Sequence, residues 1–153
     1  MSNMIIAGIG GQGVNKLSRI IAQLVVNHGQ YCQYTVHKGG AQSLGIVYSE
    51  LRFADTEITT LAAEIPAGKL DYLIALDPYE AIRHIKLANS NTQCWVDGKR
   101  SALFIERMPE FLNEFAGNKS TGNNNSDDAM VYLQSLPVKL TQANYYQQAL
   151  TRY

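Results

Sequence analysis

Apolar residues fall in short runs separated by glycine-rich turns, and the spacing within each run sets its expected conformation. Met4 to Ala7 is unbroken and ends at Gly8-Ile9-Gly10-Gly11-Gln12-Gly13, after which Leu17, Ile20, Ile21, Leu24 and Val25 recur at helical spacing. This order predicts a strand, a tight turn and a helix. The helix is expected to stop near Asn27-His28-Gly29, because Gly29 suits the left-handed position after a helix end. Tyr31 to Val36 predicts a second strand, Lys38 to Gly45 is too glycine-rich for an element interior, and Ile46 to Phe53 alternates as a strand does. Ile65-Pro66-Ala67-Gly68 reads as a turn before Leu70 to Leu76, whose near-continuous apolar character is that of a parallel strand buried on both faces. Asp77 can cap the next helix with Pro78 at its first position, Ala81, Ile82 and Ile85 give that helix a core face, and Cys94-Trp95-Val96 follows as a strand.

The last third is patterned differently. Gly117 to Asp128 has no large apolar residue with which to offset the entropy of ordering, so a mobile loop is expected at 117–128. Ala129 to Leu136 then reads as helix, Val138 to Leu140 as a last strand and Gln142 to Leu150 as a terminal helix. Strands alternating with amphipathic segments predict one domain over 1–153. Its expected fold is a three-layer α/β sandwich with a mostly parallel central sheet, a Rossmann-like start and right-handed crossovers.

Charge and cysteine content narrow the function classes. Lys plus Arg and Asp plus Glu are balanced at 13 each, which leaves no net field to draw the chain onto nucleic acid or an acidic membrane. The start lacks a basic region before its apolar run, and no apolar stretch approaches the ~20 residues of a membrane span. A cytoplasmic location is expected. Cys32 and Cys94 lie in strand-like runs without metal-ligand spacing and read as small buried hydrophobes; an iron-sulfur cluster needs about four thiolates, so this chain cannot ligate one alone.

Gly8-x-Gly10-x-x-Gly13 has the strand-before, helix-after context of a phosphate-binding turn. The dinucleotide version also needs an acidic residue about 20 positions on, and no Asp or Glu occurs between Gly13 and Glu50. Two readings stay open: a turn that only packs helix on strand, or a contact for a ligand or partner subunit. His37 and His84 titrate in a useful range but have no partner visible in sequence, and Asp77 is better explained as a cap than as half of a metal pair with Asp71. No catalytic residue and no metal site is assigned.

Three ordered blocks resemble the gamma (domain III) module of the 2-oxoacid:ferredoxin oxidoreductases that act on pyruvate, ketoisovalerate and indolepyruvate. They are Ile5 to Val14 with its Gly-Gly-Gln-Gly-Val core, His37 to Arg52, and Ile65 to Ala81. Ser43-Leu44 stands where that family usually has Arg-Gly, and the C-terminal third departs from it. The resemblance implies a division of labour. Partner subunits carry thiamine diphosphate and iron-sulfur clusters, coenzyme A or water takes the acyl product, ferredoxin is reached indirectly, and this module binds no cofactor alone and buttresses the assembly.

The ligand- or partner-binding residues expected on that basis are Gly8, Gly10, Gly11, Gln12, Gly13, His37, Gly39, Gly40, Gln42 and Gly45. The two glycine loops are expected side by side, with Gln12 and Gln42 either projecting into a shared crevice or simply tying the loops together. A homodimer of the isolated chain stays open. So does the alternative of a stand-alone nucleotide-binding, regulatory or scaffold module.

Overall fold

Six strands take up the apolar runs: β1 (Ser2–Ile9), β2 (Tyr31–Lys38), β3 (Ile46–Ala54), β4 (Leu70–Ala75), β5 (Ala88–Asp97) and β6 (Lys139–Ala143). Among the described residues the helices are α1 (Val14–Asn27), α2 (Pro78–His84) with a 3-10 turn at Ile85–Leu87, and α3 (Asn125–Gln134). A computed structural model describes residues 1–39, 45–59, 64–98 and 125–143. Of the expected loop at 117–128, residues 125–128 form the first turn of α3 and the remainder lies outside the described residues. Gln142 and Ala143, expected to open a terminal helix, belong to β6.

The strands form one sheet in the order β2-β3-β1-β4-β5-β6. β1 pairs parallel with β4, β4 with β5 and β5 with β6, whereas β3 pairs antiparallel with both β1 and β2. Five strands therefore share one direction, and β3 alone runs counter to them. The reversal follows from chain length: a parallel return requires a crossover of roughly a dozen residues, and only the short 39–45 link joins β2 to β3.

The sheet separates two apolar layers. On one face α1 sets Val14, Leu17, Ile21 and Ala22 against Met4, Ile6 and Leu51; on the other, α2 and α3 pack Ala81, Met130 and Leu133 on Ile5, Ala7, Leu73 and Val96. Ser18 lies in the first layer, hydrogen-bonded to Ser49 of β3 and to the Val14 carbonyl, a small polar contact that lets α1 sit close to the sheet. α1 ends as expected, with Gly29 at φ 82° beyond its last turn. α2 begins as expected, with the Asp77 carboxylate accepting the Tyr79 N–H at 2.9 Å and Pro78 behind it. No described helix is long and apolar enough to cross a membrane.

Candidate functional site

The carboxyl end of β1 lies where the connections diverge: α1 carries the chain over one face of the sheet and α2 over the other. In open α/β sheets this switch point is where ligands gather. Here a side chain of the chain itself crosses the end of the sheet. The Ile9 N–H donates to Gln12 Oε1 at 2.7 Å, and Gln12 Nε2 donates to the Leu76 carbonyl at 2.8 Å, so one side chain spans from the β1 turn to the end of β4.

Gly8 is explained by that strut. A Cβ on Gly8 would stand 2.8 Å from Gln12 Oε1 and 2.9 Å from Val14 Cγ2, so the bare backbone makes room for this chain's own side chains. Gly11 and Gly13 have φ of 98° and 86°, a conformation that costs most other residues energy. Gly13 is also the N-cap of α1 and supplies no side-chain acceptor, which leaves the first N–H groups of that helix uncapped by the described residues. The Gly10 N–H donates to the Gly45 carbonyl at 2.9 Å, and the Gly39 N–H to the Ile46 carbonyl at 2.7 Å. The ends of the two glycine loops therefore meet at one edge, as expected. Gly40 and Gln42 lie outside the described residues.

His37 is drawn away from the crevice into a stack of rings on the α2 side of the sheet. Its ring lies on Tyr48, directly opposite across the β2–β3 pair, at a centroid distance of 4.4 Å and an interplanar angle of 9°. His84, at the end of α2, tilts onto the same Tyr48 at 4.7 Å. Among the described residues the Nε2 atoms of both histidines are buried without a hydrogen-bond partner. Burial lowers the His84 pKa to about 4, assisted by the charges of Arg83, Lys86 and His37, so its imidazole is neutral near neutral pH. Burial also raises the Tyr48 hydroxyl, with Glu50 and Glu64 adding to the effect. Below Tyr48 on β3, Glu50 and Arg52 form a buried ion pair at 3.1 Å.

Sequence reasoning gave His84 little weight and did not single out Tyr48. The signal that would have found the pair is the hairpin register, which sets His37 directly opposite Tyr48 across the link between β2 and β3.

The cysteines do not form a cluster site. Cys32 is on the edge strand β2, whereas Cys94 is buried in β5 four strand positions away, about 19 Å at sheet spacing. Burial raises both thiols, Cys94 to about 11, so neither is a ready thiolate ligand. Among the described residues no three His, Cys, Asp or Glu side chains are grouped so as to hold a metal ion.

Comparison with known proteins gives this geometry a family. The model for "Pyruvate ferredoxin/flavodoxin oxidoreductase" matches residues 3–144. The chain belongs to that family. It is 38% identical over 90 residues to the indolepyruvate oxidoreductase subunit IorB of Archaeoglobus fulgidus, covering 59% of this chain and 43% of that one. It is 33% identical over 81 residues to IorB of Methanothermobacter thermautotrophicus, covering 53% and 39%. The chain thus spans about two fifths of the length of these relatives.

Among solved structures, the gamma subunit of a keto/oxoacid ferredoxin oxidoreductase from Geobacter sulfurreducens matches with a TM-score of 0.54 at 16% identity, covering 94% of this chain and 62% of that one. A 2-oxoglutarate:ferredoxin oxidoreductase from Magnetococcus marinus matches with a TM-score of 0.64 at 12% identity, covering 98% and 21%. At these identities the likeness is one of fold. It agrees with the three-layer α/β architecture expected from the hydrophobic pattern.

Proposed function

We propose that this chain is the gamma-type module of a 2-oxoacid ferredoxin oxidoreductase, supporting the thiamine diphosphate site of a partner subunit while holding no cofactor itself. The observation that carries this reading is the Gln12 strut at the carboxyl end of β1, where one side chain ties the β1 turn to the residue after β4. Gly8 is fitted to Gln12 and Val14 of the same chain. The absence of an acidic residue between Gly13 and Glu50 argues against a dinucleotide. Thiamine diphosphate and the iron-sulfur clusters belong in this reading to the companion chains, because the donor sets described above do not fit them. When bound there, thiamine diphosphate supplies the carbanion chemistry of 2-oxoacid cleavage.

The role of this chain's own residues is positional. The Gln12 strut fixes the β1 turn against β4, the Gly10–Gly45 hydrogen bond ties the second loop to the first, and the joined loops present one preformed edge to a partner. Among substrates, the indolepyruvate name of the two IorB relatives favours an aryl pyruvate over pyruvate or a branched-chain 2-oxoacid. Coenzyme A or water would take the acyl group.

The test is co-expression with the thiamine-diphosphate-binding and iron-sulfur subunits of the same source, followed by a screen of 2-oxoacids with an artificial electron acceptor. Turnover is expected from the complex and not from the isolated chain. Gln42→Ala is expected to leave the isolated chain's melting temperature nearly unchanged and to weaken assembly or turnover. Turnover by the chain alone, or tight binding of NAD or FAD to it, would overturn the proposal.

A further inference from the structure

β2 is an edge strand that carries none of the features that normally blunt an edge. Among the described residues it pairs only with β3, over eight residues in one continuous register without a bulge. Every second residue therefore points its backbone N–H and C=O away from the sheet, and no hydrogen bond from another described element reaches that outer row. No Asp, Glu, Lys, Arg or Pro occurs from Ile20 to His37. β6, the opposite edge among the described residues, is unlike it, with only five residues opened by Lys139.

The side chains along this edge are apolar and open to water. Tyr31 and Tyr34 are 50% and 38% exposed, on opposite faces of the sheet. The Tyr34 hydroxyl donates to Asn15 Oδ1 at 3.1 Å, which marks the side of α1 that borders β2. Val26 follows Asn15 by about three helical turns, so it lies on the same side, and it is 50% exposed. A long, regular, uncharged edge of aromatic and β-branched residues is a template for another strand.

The strand it fits is β2 of a second copy. Two sheets joined edge to edge by a twofold axis keep each side chain on its own face only when paired positions differ by an even number. The register centred on Tyr34 sets Tyr34 opposite itself, Gln33 opposite Thr35, Cys32 opposite Val36 and Tyr31 opposite His37. Apolar meets apolar and polar meets polar, with an aromatic pair on the axis. The two Lys38 fall at opposite ends of the seam, roughly 26 Å apart along the strands. An edge without charge has nothing with which to select a foreign strand, whereas a second copy always presents the same row in reverse.

We propose that two copies of this chain associate through β2, antiparallel about Tyr34, into one continuous sheet. The contact is isologous and uses up the β2 edge of both copies, so it closes at two. It requires none of the companion chains of the proposed function.

The test follows the full chain by analytical ultracentrifugation from about 1 µM to about 1 mM, with hydrogen exchange read at both ends of that range. The mass is expected to rise from one chain to two, and β2 amides are expected to slow on association while those of β6 do not. Tyr34→Lys and Tyr34→Glu each set like charges directly opposite one another across the seam, and each is expected to weaken association at least about tenfold. An equal mixture of the two is expected to restore it, because the charges are then opposite. Val131→Lys, on exposed α3 surface, serves as control, and urea unfolding checks that each variant keeps its fold. A chain that stays monomeric throughout overturns the proposal, as do masses that climb past two copies or protection that spares β2. So do Tyr34 variants that associate as well as the control, or a mixture no tighter than either variant alone.

Discussion

Replacing His84 with Gln should remove a measurable part of the pH dependence of stability. The ordinary histidine pKa of 6.5 is lowered to about 4 in the folded chain, chiefly because the ring is buried against Tyr48 and secondarily by Arg83, Lys86 and His37. Between these values the unfolded chain binds a proton that the folded chain does not. Stability contributed at this residue is therefore complete above about pH 6.5, and it is lost as pH falls through the window toward 4.

Traversing the whole window would correspond to about 3 kcal/mol, and stopping at pH 5 to about 2 kcal/mol. His84 keeps an exposed edge, and solvent screens the flanking Arg83 and Lys86 charges. About 1 kcal/mol is therefore expected between roughly pH 7.5 and pH 5. Urea unfolding at both pH values should show the wild-type midpoint falling about 0.5 M further than that of His84→Gln. Glu80 has the opposite sign, since burial raises its carboxyl and its contribution is lost as pH rises, but it is common to both proteins. Parallel losses in wild type and variant would refute the reasoning, because a histidine buried as neutral must register the missing proton.

Gln12→Ala removes both ends of the strut and leaves the Ile9 N–H and the Leu76 carbonyl without their partner, so a loss of about 2 kcal/mol is expected in thermal or urea unfolding. Gly8→Ala places a methyl within 3 Å of Gln12 and Val14 and should cost about 1–3 kcal/mol, with a smaller cost in the Gln12→Ala background, where one of the two obstructions is gone. Glu80→Gln should raise stability near neutral pH by up to about 1 kcal/mol, because Glu80 Oε2 is buried without a hydrogen-bond partner among the described residues and the remaining Arg83 contact is at an exposed side chain. The purified chain should show no visible absorption from an iron-sulfur cluster after anaerobic reconstitution with iron and sulfide; a brown product would count against the cysteine geometry.

The layers of the fold were legible because each apolar run carries its own period. Leu70 to Ala75 has the unbroken character of a strand covered on both faces, and Asp77-Pro78 marks a helix start by local chemistry alone. The direction of β3 was not legible in the same way, since the alternation from Ile46 to Phe53 suits either direction. It is shown by the pairing of β3 with β1 and β2, and the shortness of the preceding link accounts for it. At the candidate site, the glycine loops and their adjacency could be read, but the content of the crevice could not. Gly8 is required whether it faces a phosphate or Gln12, and only the position of the Gln12 amide separates the two. The His37–Tyr48–His84 stack was hidden for a different reason: it joins three elements, and of its two ring contacts one depends on the register of β2 on β3 and the other on which face α2 covers.

The counter-running strand also bears on how the chain finds its fold. β2 and β3 close a hairpin over the short 39–45 link, while β1 must wait for β4, with Asn3 and Asp71 bonded across 68 positions. Closing the longer loop carries the greater entropic cost, so the hairpin is expected to form early and the β1–β4 pairing to set the barrier. Conservative truncations such as Ile5→Val and Leu73→Ala should then slow refolding, whereas Val36→Ala should mainly speed unfolding. A nascent chain emerging from the ribosome would accordingly hold β1 unpaired on its β4 side until residues beyond Ala75 had been made, an interval in which an apolar strand edge is open to wrong partners.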